Sequence, residues 1–286
     1  MMGKLNFELV RLLNSGGRGD VHLGYVRERN LRVAVKYPRD SHLPHLKQAF
    51  FREIDVLAMQ LPGMVKLLDF NKLANPPYYV MEYLGGGTLT QYAGRLSEQH
   101  LMLLARGLAN VLANFHDKCG AHGDYKPDNI MADQNGELKL GDPAGNGFGF
   151  SLLLAPARGG TPGYWAPEIR SNEAVSARAD VFSFGATLSH LVSGRKPIDG
   201  QNFDPLVNGF RCPPRLRDVI LLCTHPDPKT RPTMHQVIRL LGGESWESIR
   251  AEVQRQVESQ KSLVGLAVGL GLLFAIRKLL ELARKG

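Results

Sequence analysis

An Asp, a Lys two positions on and an Asn five positions on share one short stretch, Gly120–Asn129, which reads GAHGDYKPDN. Asp124 can orient a hydroxyl and accept its proton, Lys126 can offset charge on a group in flight, and Asn129 can offer an amide oxygen to a hard cation. Together they suit phosphoryl transfer. Ile130 and Met131 follow as an apolar pair that reads as a strand pinning the loop to a core. Upstream, LLNSGGRGDV places Gly16, Gly17 and Gly19 where backbone N–H groups can approach a polyphosphate without Cβ obstruction. A glycine-rich hairpin turn has the same composition. Lys36 closes the strand-like LRVAVK, and Glu53 lies in a helical pattern. Taken singly, these read as a snorkelling lysine and a solvent-facing glutamate. Asp142 follows a short strand, Glu137–Leu140.

The elements that must position these residues are legible from periodicity. Phe7–Val35 reads as strand, glycine-rich turn, strand and strand, and His45–Gln60 as a helix with Phe50, Ile54, Leu57 and Ala58 on one face. Val65–Phe70 and Tyr78–Tyr83 read as strands, and Gly85–Gly87 as a hinge. From Thr88 onward the chain is mainly helical: Leu101–His116, Ala177–Ser193, Pro214–Cys223 and Thr233–Leu241. Gly145–Pro167 is irregular, rich in Gly and Pro, and too long for a plain connector. No internal repeat is visible. The reading is an α+β chain: a small β-rich lobe over 1–84, a larger helical lobe over 85–243, a helical linker over 244–262, and an apolar and basic tail over 263–286.

Composition narrows the classes. With 286 residues, 43% hydrophobic and 22% charged, the chain can bury a sizeable core and is not disordered by default. Three scattered cysteines give neither a disulfide framework nor a zinc pattern, which fits a reducing, cytoplasmic setting. The net charge of +8 is spread without a basic stripe interleaved with aromatics, so a phosphate-binding cleft is favoured and nucleic acid is not expected as a partner. The start, MMGKLNFELV, lacks the apolar run of a signal peptide, and Phe7 stands where a myristoylation signal wants Ser or Thr.

In this order and spacing the motifs resemble those of eukaryotic-type protein kinases, over about Phe7 to Leu241. The resemblance implies a bilobal kinase fold and phosphorylation of protein Ser or Thr hydroxyls with ATP and Mg2+. It places Asn14, Gly16, Gly19 and Val21 on the phosphate loop, and Ala34 and Lys36 on the strand carrying the phosphate-contacting lysine. Glu53 falls on the helix that pairs with that lysine, Met81, Glu82 and Leu84 on the adenine-binding hinge, and Met131 beneath the nucleotide. Asp124 and Lys126 take the catalytic positions, Asn129 and Asp142 the metal-binding ones, and His122 a packing role. Ala166-Pro167-Glu168, Asp180 and Arg231 match the end of the activation segment, the tether of the catalytic loop and the partner of Glu168. Lys126 and Thr161 are of the Ser/Thr type. The rival readings are a pseudokinase scaffold and a small-molecule phosphotransferase of the antibiotic-modifying type, whose loop also reads His-Gly-Asp.

The chain departs from the pattern in three places. Asn14 replaces the first loop glycine, at little cost because Asn tolerates left-handed backbone. Gly123 replaces the arginine that a phosphorylated activation segment holds in the family, which implies activity independent of that phosphorylation. Ser151 is the better placed regulatory hydroxyl, so Ser151→Ala should leave activity largely intact. Pro143-Ala144 replaces Phe-Gly after the metal-binding aspartate, and proline should stiffen that loop and disfavour its flipped-out state.

Beyond Gly243, Trp246, Ile249, Val253 and Val257 are spaced for one helical face. Leu263–Ile276 is an uninterrupted apolar run followed by Arg277-Lys278. Its length makes ~21 Å of helix, short of a ~30 Å hydrocarbon core unless flanking Lys and Arg snorkel. Gly265 and Gly269 form a small-xxx-small pair suited to self-association. The expectation is a C-terminal apolar helix that anchors the chain to a membrane and supports a homo-oligomer.

Overall fold

The computed structural model describes residues 3–16, 19–39, 42–143, 162–170, 175–252, 254 and 255. The chain divides into two compact units, 1–241 and 242–286. The first unit begins with a five-stranded antiparallel sheet in the order β1-β2-β3-β5-β4, built from β1 (Glu8–Gly16), β2 (Gly19–Val26), β3 (Leu31–Pro38), β4 (Leu67–Asn71) and β5 (Tyr78–Glu82). β3 is buried on both faces at its centre. Val33 and Val35 pack outward with Val26 and Val80 beneath Phe7, Tyr37 and Tyr78. Ala34 and Lys36 take the opposite face, as the two-residue alternation of a strand requires. Asp69 of β4 accepts the amides of Gly3 at 3.1 Å and Leu5 at 2.8 Å, which fastens the N-terminal segment to the sheet.

Helix α1 (Pro44–Ala58) crosses the inner face of this sheet. Its buried residues Phe50, Glu53, Ile54 and Leu57 follow three- and four-residue spacing, so Glu53 lies on the buried stripe and not toward solvent. The tight pair Gly86–Gly87 then joins the sheet to the helical lobe: the Gly86 amide donates to the Ala132 carbonyl and the Ala132 amide to the Gly87 carbonyl, both at 2.9 Å.

The helical lobe is organised around α2 (Glu98–Cys119) and α4 (Ala177–Ser193). Ser97 caps α2 through the His100 amide and Gly120 ends it at φ 75°, so α2 runs beyond the expected Leu101–His116 at both ends. α4 is buried nearly all round, as its apolar composition dictates, and Ser176 and Gly194 close its two ends. Between them lies the hairpin β6 (Ile130–Ala132) and β7 (Leu138–Leu140). The lobe is completed by α3 (Pro167–Arg170), α5 (Phe203–Asn208), α6 (Pro214–Cys223) and α7 (Met234–Gly242). The short α3 and α5 have no counterpart in the periodicity reading.

In the second unit, residues 246–252 are helical, with the Ser245 hydroxyl accepting the Ser248 amide at 3.2 Å. Val253, Val257 and the whole apolar run Leu263–Ile276 lie outside the described residues. Among the described residues no helix is long and apolar enough to cross a membrane.

Candidate active site

The floor of the site is the stretch between α2 and β6. Asp180, in the first turn of α4, accepts the His122 amide at 2.6 Å, the Gly123 amide at 2.8 Å and His116 Nε2 at 3.0 Å. One carboxylate therefore carries three donors and fixes the backbone just before Asp124. Gly123 takes φ 82°, a conformation free of Cβ penalty only for glycine. His122 is fully buried between Phe115 and Tyr125. Its Nε2 lies 3.1 Å from the Gly141 carbonyl oxygen, and its Nδ1 receives the Asp124 amide at 3.3 Å. That pairing assigns the proton to Nε2 and leaves the ring as a spacer.

Asp124 is held from both sides. Lys126 Nζ lies 3.1 and 3.0 Å from its two carboxylate oxygens. Asn129, in a single turn over Pro127–Asn129, donates from Nδ2 to the Asp124 carbonyl at 2.7 Å and to its Oδ2 at 3.0 Å. With the amide nitrogen used on Asp124, the Asn129 side chain turns its oxygen to the other side. The Gly141 amide donates to the Asn129 carbonyl at 2.8 Å, so the peptide before Asp142 is pinned by both His122 and Asn129. Asp142 sits at φ 55° directly ahead of Pro143. A residue before proline is normally extended, so this left-handed aspartate is strained, and the loop on which it stands holds that strain.

The roof comes from the sheet. Lys36 Nζ donates to Glu53 Oε1 at 2.7 Å and also pairs with Asp142 Oδ1. Lys36 and Glu53 are almost wholly buried, whereas the Asp142 side chain keeps 32% of its surface exposed. Burial opposes the Lys36 ammonium, but the charges of Asp142 and then Glu53 outweigh it and raise its pKa. Burial pushes Glu53 up to about 7, with Lys36 pulling against it and Asp142 adding to it. Such a buried pair contributes geometry more than stability. The Asp142 carboxylate, paired with a fixed ammonium, and the Asn129 amide offer oxygen donors of the kind that suits Mg2+ on a polyphosphate.

The remaining candidates lie along the sheet. The register aligns Val21 with Lys36 and Tyr79, and Ala34 with Met81, on one face. Glu82 ends β5 with its amide on the Lys66 carbonyl at 3.0 Å, and its carboxylate accepts the Lys66 amide at 2.8 Å. Leu84 follows in the connection, and Met131 bridges to Thr88. Asn14 pairs with Val21 and Gly16 with Gly19 across the β1–β2 turn, whose tip, Gly17 and Arg18, lies outside the described residues. A Cβ at Gly19 would collide with the Tyr37 carbonyl oxygen, so crowding by the neighbouring strand already requires glycine there.

Below the site, the Glu168 carboxylate and the Arg231 guanidinium form a buried two-point pair at 2.6 and 2.8 Å. Ser151 and Thr161 lie outside the described residues. Two side chains that the sequence reading did not single out touch the assembly: His116, on Asp180, and Tyr79, on Glu53. The first could have been sought one helical turn before the loop; the second depends on a strand register that periodicity does not reveal. Among the described residues no cluster of three or more His, Cys, Asp or Glu side chains forms a separate metal centre.

The family profile described as "Protein kinase domain" matches residues 7–240. CBL-interacting protein kinase 15 of Oryza sativa subsp. japonica is 31% identical over 255 residues, covering 81% of this chain and 58% of that protein. CBL-interacting serine/threonine-protein kinase 18 of Arabidopsis thaliana is 31% identical over 266 residues, covering 84% of this chain and 49% of that protein. Serine/threonine-protein kinase pkn2 of Myxococcus xanthus is 32% identical over 222 residues, covering 71% of this chain and 26% of that protein. The chain thus spans between 26% and 58% of the length of these curated relatives.

Proposed function

Since the chain belongs to the protein kinase family, we propose that it transfers the terminal phosphoryl group of ATP to Ser or Thr hydroxyls of proteins. The observation that carries this reading is the shared anchoring of two groups remote in sequence. Asp124, Lys126 and Asn129 form one hydrogen-bonded unit, Lys36, Glu53 and Asp142 another, and Gly141 joins them through His122 and Asn129.

In this reading Asp124 orients the acceptor hydroxyl and takes its proton, while Lys126 offsets charge on the group being transferred. Asp142 and Asn129 would hold magnesium, which supplies charge neutralisation along the phosphates when bound. Lys36, placed by Glu53, contacts the phosphates of ATP. Asn14, Gly16, Gly19 and Val21 would cover them, and Ala34, Met81, Glu82, Leu84 and Met131 would enclose the base. No covalent enzyme intermediate is needed. Lys126 and the serine/threonine designation of two of the relatives support alcohol acceptors over phenols. Gly123 in place of arginine supports activity that does not wait on phosphorylation of the segment before Pro162.

The test is incubation with labelled ATP, magnesium, mixed protein acceptors and an aminoglycoside, followed by phosphoamino-acid analysis. Label on Ser and Thr is expected. Label on the aminoglycoside alone would move the chain to small-molecule phosphotransfer, and nucleotide binding without any transfer would make it a scaffold. The tail over 263–286 is proposed as a membrane attachment and self-association segment on composition alone. Deleting it from Leu263 onward should release the chain from the membrane fraction, and unchanged partitioning would discard that role.

A further inference from the structure

Glu53 Oε1 accepts two hydrogen bonds, from Lys36 Nζ at 2.7 Å and from the Tyr79 hydroxyl at 2.7 Å. The sheet makes this arrangement. The antiparallel register of β3 and β5 sets Lys36 directly opposite Tyr79, so the two side chains stand side by side on the inner face. Helix α1 crosses that face and delivers Glu53 onto both. Phe50, about one turn earlier on α1, stacks on the Tyr79 ring with centroids 5.3 Å apart and planes 29° apart. Tyr79 therefore meets α1 at two points, its ring against Phe50 and its hydroxyl on Glu53, while only 1% exposed.

A carboxylate oxygen held by one flexible lysine can swing with that lysine. A second donor from a stacked, buried aromatic ring fixes its position, because the phenol has no freedom to follow. We propose that Tyr79 is a positioning residue for phosphoryl transfer: its hydroxyl holds Glu53, and α1 with it, where Glu53 places the Lys36 ammonium for the phosphates of ATP. This rests on the kinase reading above and adds a member to the assembly that binds ATP. Tyr79 touches no reacting atom in this scheme; it acts through Glu53.

Tyr79→Phe keeps the ring and its stack on Phe50 and removes only the hydroxyl. Loss of one hydrogen bond to a charged group should lower kcat/KM for ATP about tenfold. The KM for the protein acceptor should stay near wild type, and the melting temperature should fall by only the few degrees that one buried hydrogen bond is worth. In a Glu53→Ala background, Tyr79→Phe should add almost nothing, read as ATP dissociation constants where turnover is too slow. A Tyr79 that merely filled space would cost the same in both backgrounds. The inference is overturned if Tyr79→Phe lies within about twofold of wild type, or if its cost is equal with and without Glu53. Should Tyr79→Phe fold poorly, amide exchange across 44–58 is the second readout. Faster exchange there with the sheet unchanged supports the docking role, and uniform loss of protection rejects it. A wild-type chain that neither binds nor uses ATP would remove the kinase reading itself; an active wild type indifferent to Tyr79→Phe would remove this inference alone.

Discussion

Arg231→Met is the perturbation whose cost follows most directly from the contacts. All five N–H donors of the guanidinium have partners: Glu168 Oε1 at 2.6 Å and Oε2 at 2.8 Å, and the carbonyls of His225 at 2.7 Å, Arg178 at 2.9 Å and Pro226 at 2.9 Å. The Arg231 side chain is fully buried, the Glu168 side chain is only 7% exposed, and the guanidinium lies 5.1 Å from the Phe182 ring centroid. Removing it strands one buried carboxylate and leaves the carbonyls of His225, Arg178 and Pro226 without this donor. Breaking a buried pair from one side costs about 3–5 kcal/mol, a large share of the ~5–15 kcal/mol that keeps a domain folded. At roughly 2–4 °C per kcal/mol for a chain of this size, the melting temperature should drop by about 10 °C. The assay is differential scanning calorimetry of wild type, Arg231→Met, Glu168→Met and the double variant at one pH and salt concentration. The double variant should recover part of the loss, because neither charge is then left alone. A single variant within about 1 kcal/mol of wild type, or a double variant as unstable as the summed singles, would refute the reasoning.

Other perturbations are more local. Tyr125 is 1% exposed, and among the described residues its hydroxyl has no hydrogen-bond partner. Tyr125→Phe should therefore leave melting unchanged or raise stability by about 1 kcal/mol; a clear loss would reveal a partner. His190, whose Nδ1 lies 2.7 Å from the Tyr164 hydroxyl, has its pKa held below 6.5 by burial first, with Asp128 pulling it up and Lys196 pushing it down. A lowered folded pKa contributes stability above the unfolded value, and that stability is lost as pH falls through the folded one. Wild type should accordingly lose more stability than His190→Gln on going from neutral pH into the acid range, and parallel curves would contradict this. Gly163 packs so close to Pro197 that a Cβ would collide with its carbonyl oxygen, so Gly163→Ala should cost about 1–3 kcal/mol by overpacking, and a neutral melt would contradict that.

How much of this was legible in the sequence depends on the range of the interactions. The two-lobed α+β organisation followed from periodicity, and the order Lys36, Asp124, Asn129, Asp142 followed from motif spacing, because those signals are local. Helix ends were misjudged wherever a cap, and not the apolar stripe, decides them: Ser97 and Gly120 extend α2 beyond its hydrophobic run. Glu53 read alone looks solvent-facing, and only the crossing of α1 over β3 and β5 shows it buried. Tyr79 owes its place to strand register, which no single-strand pattern encodes. Asp142 was expected to be restrained by Pro143, yet its left-handed backbone emerges only from how Gly141 is pinned on both sides. The short helices α3 and α5 carry too few residues for periodicity to register.

The central claim is that Asp124 stands where it can align an acceptor hydroxyl against phosphates placed by Lys36 and Asp142. Transfer of label from γ-labelled ATP to a protein acceptor, compared between wild type and Asp124→Asn at equal folding and equal ATP affinity, tests it most directly. The account expects transfer by wild type and a loss of about 10²-fold or more in Asp124→Asn. Equal transfer by both proteins, or none by a well-folded wild type that binds magnesium and ATP, would contradict it.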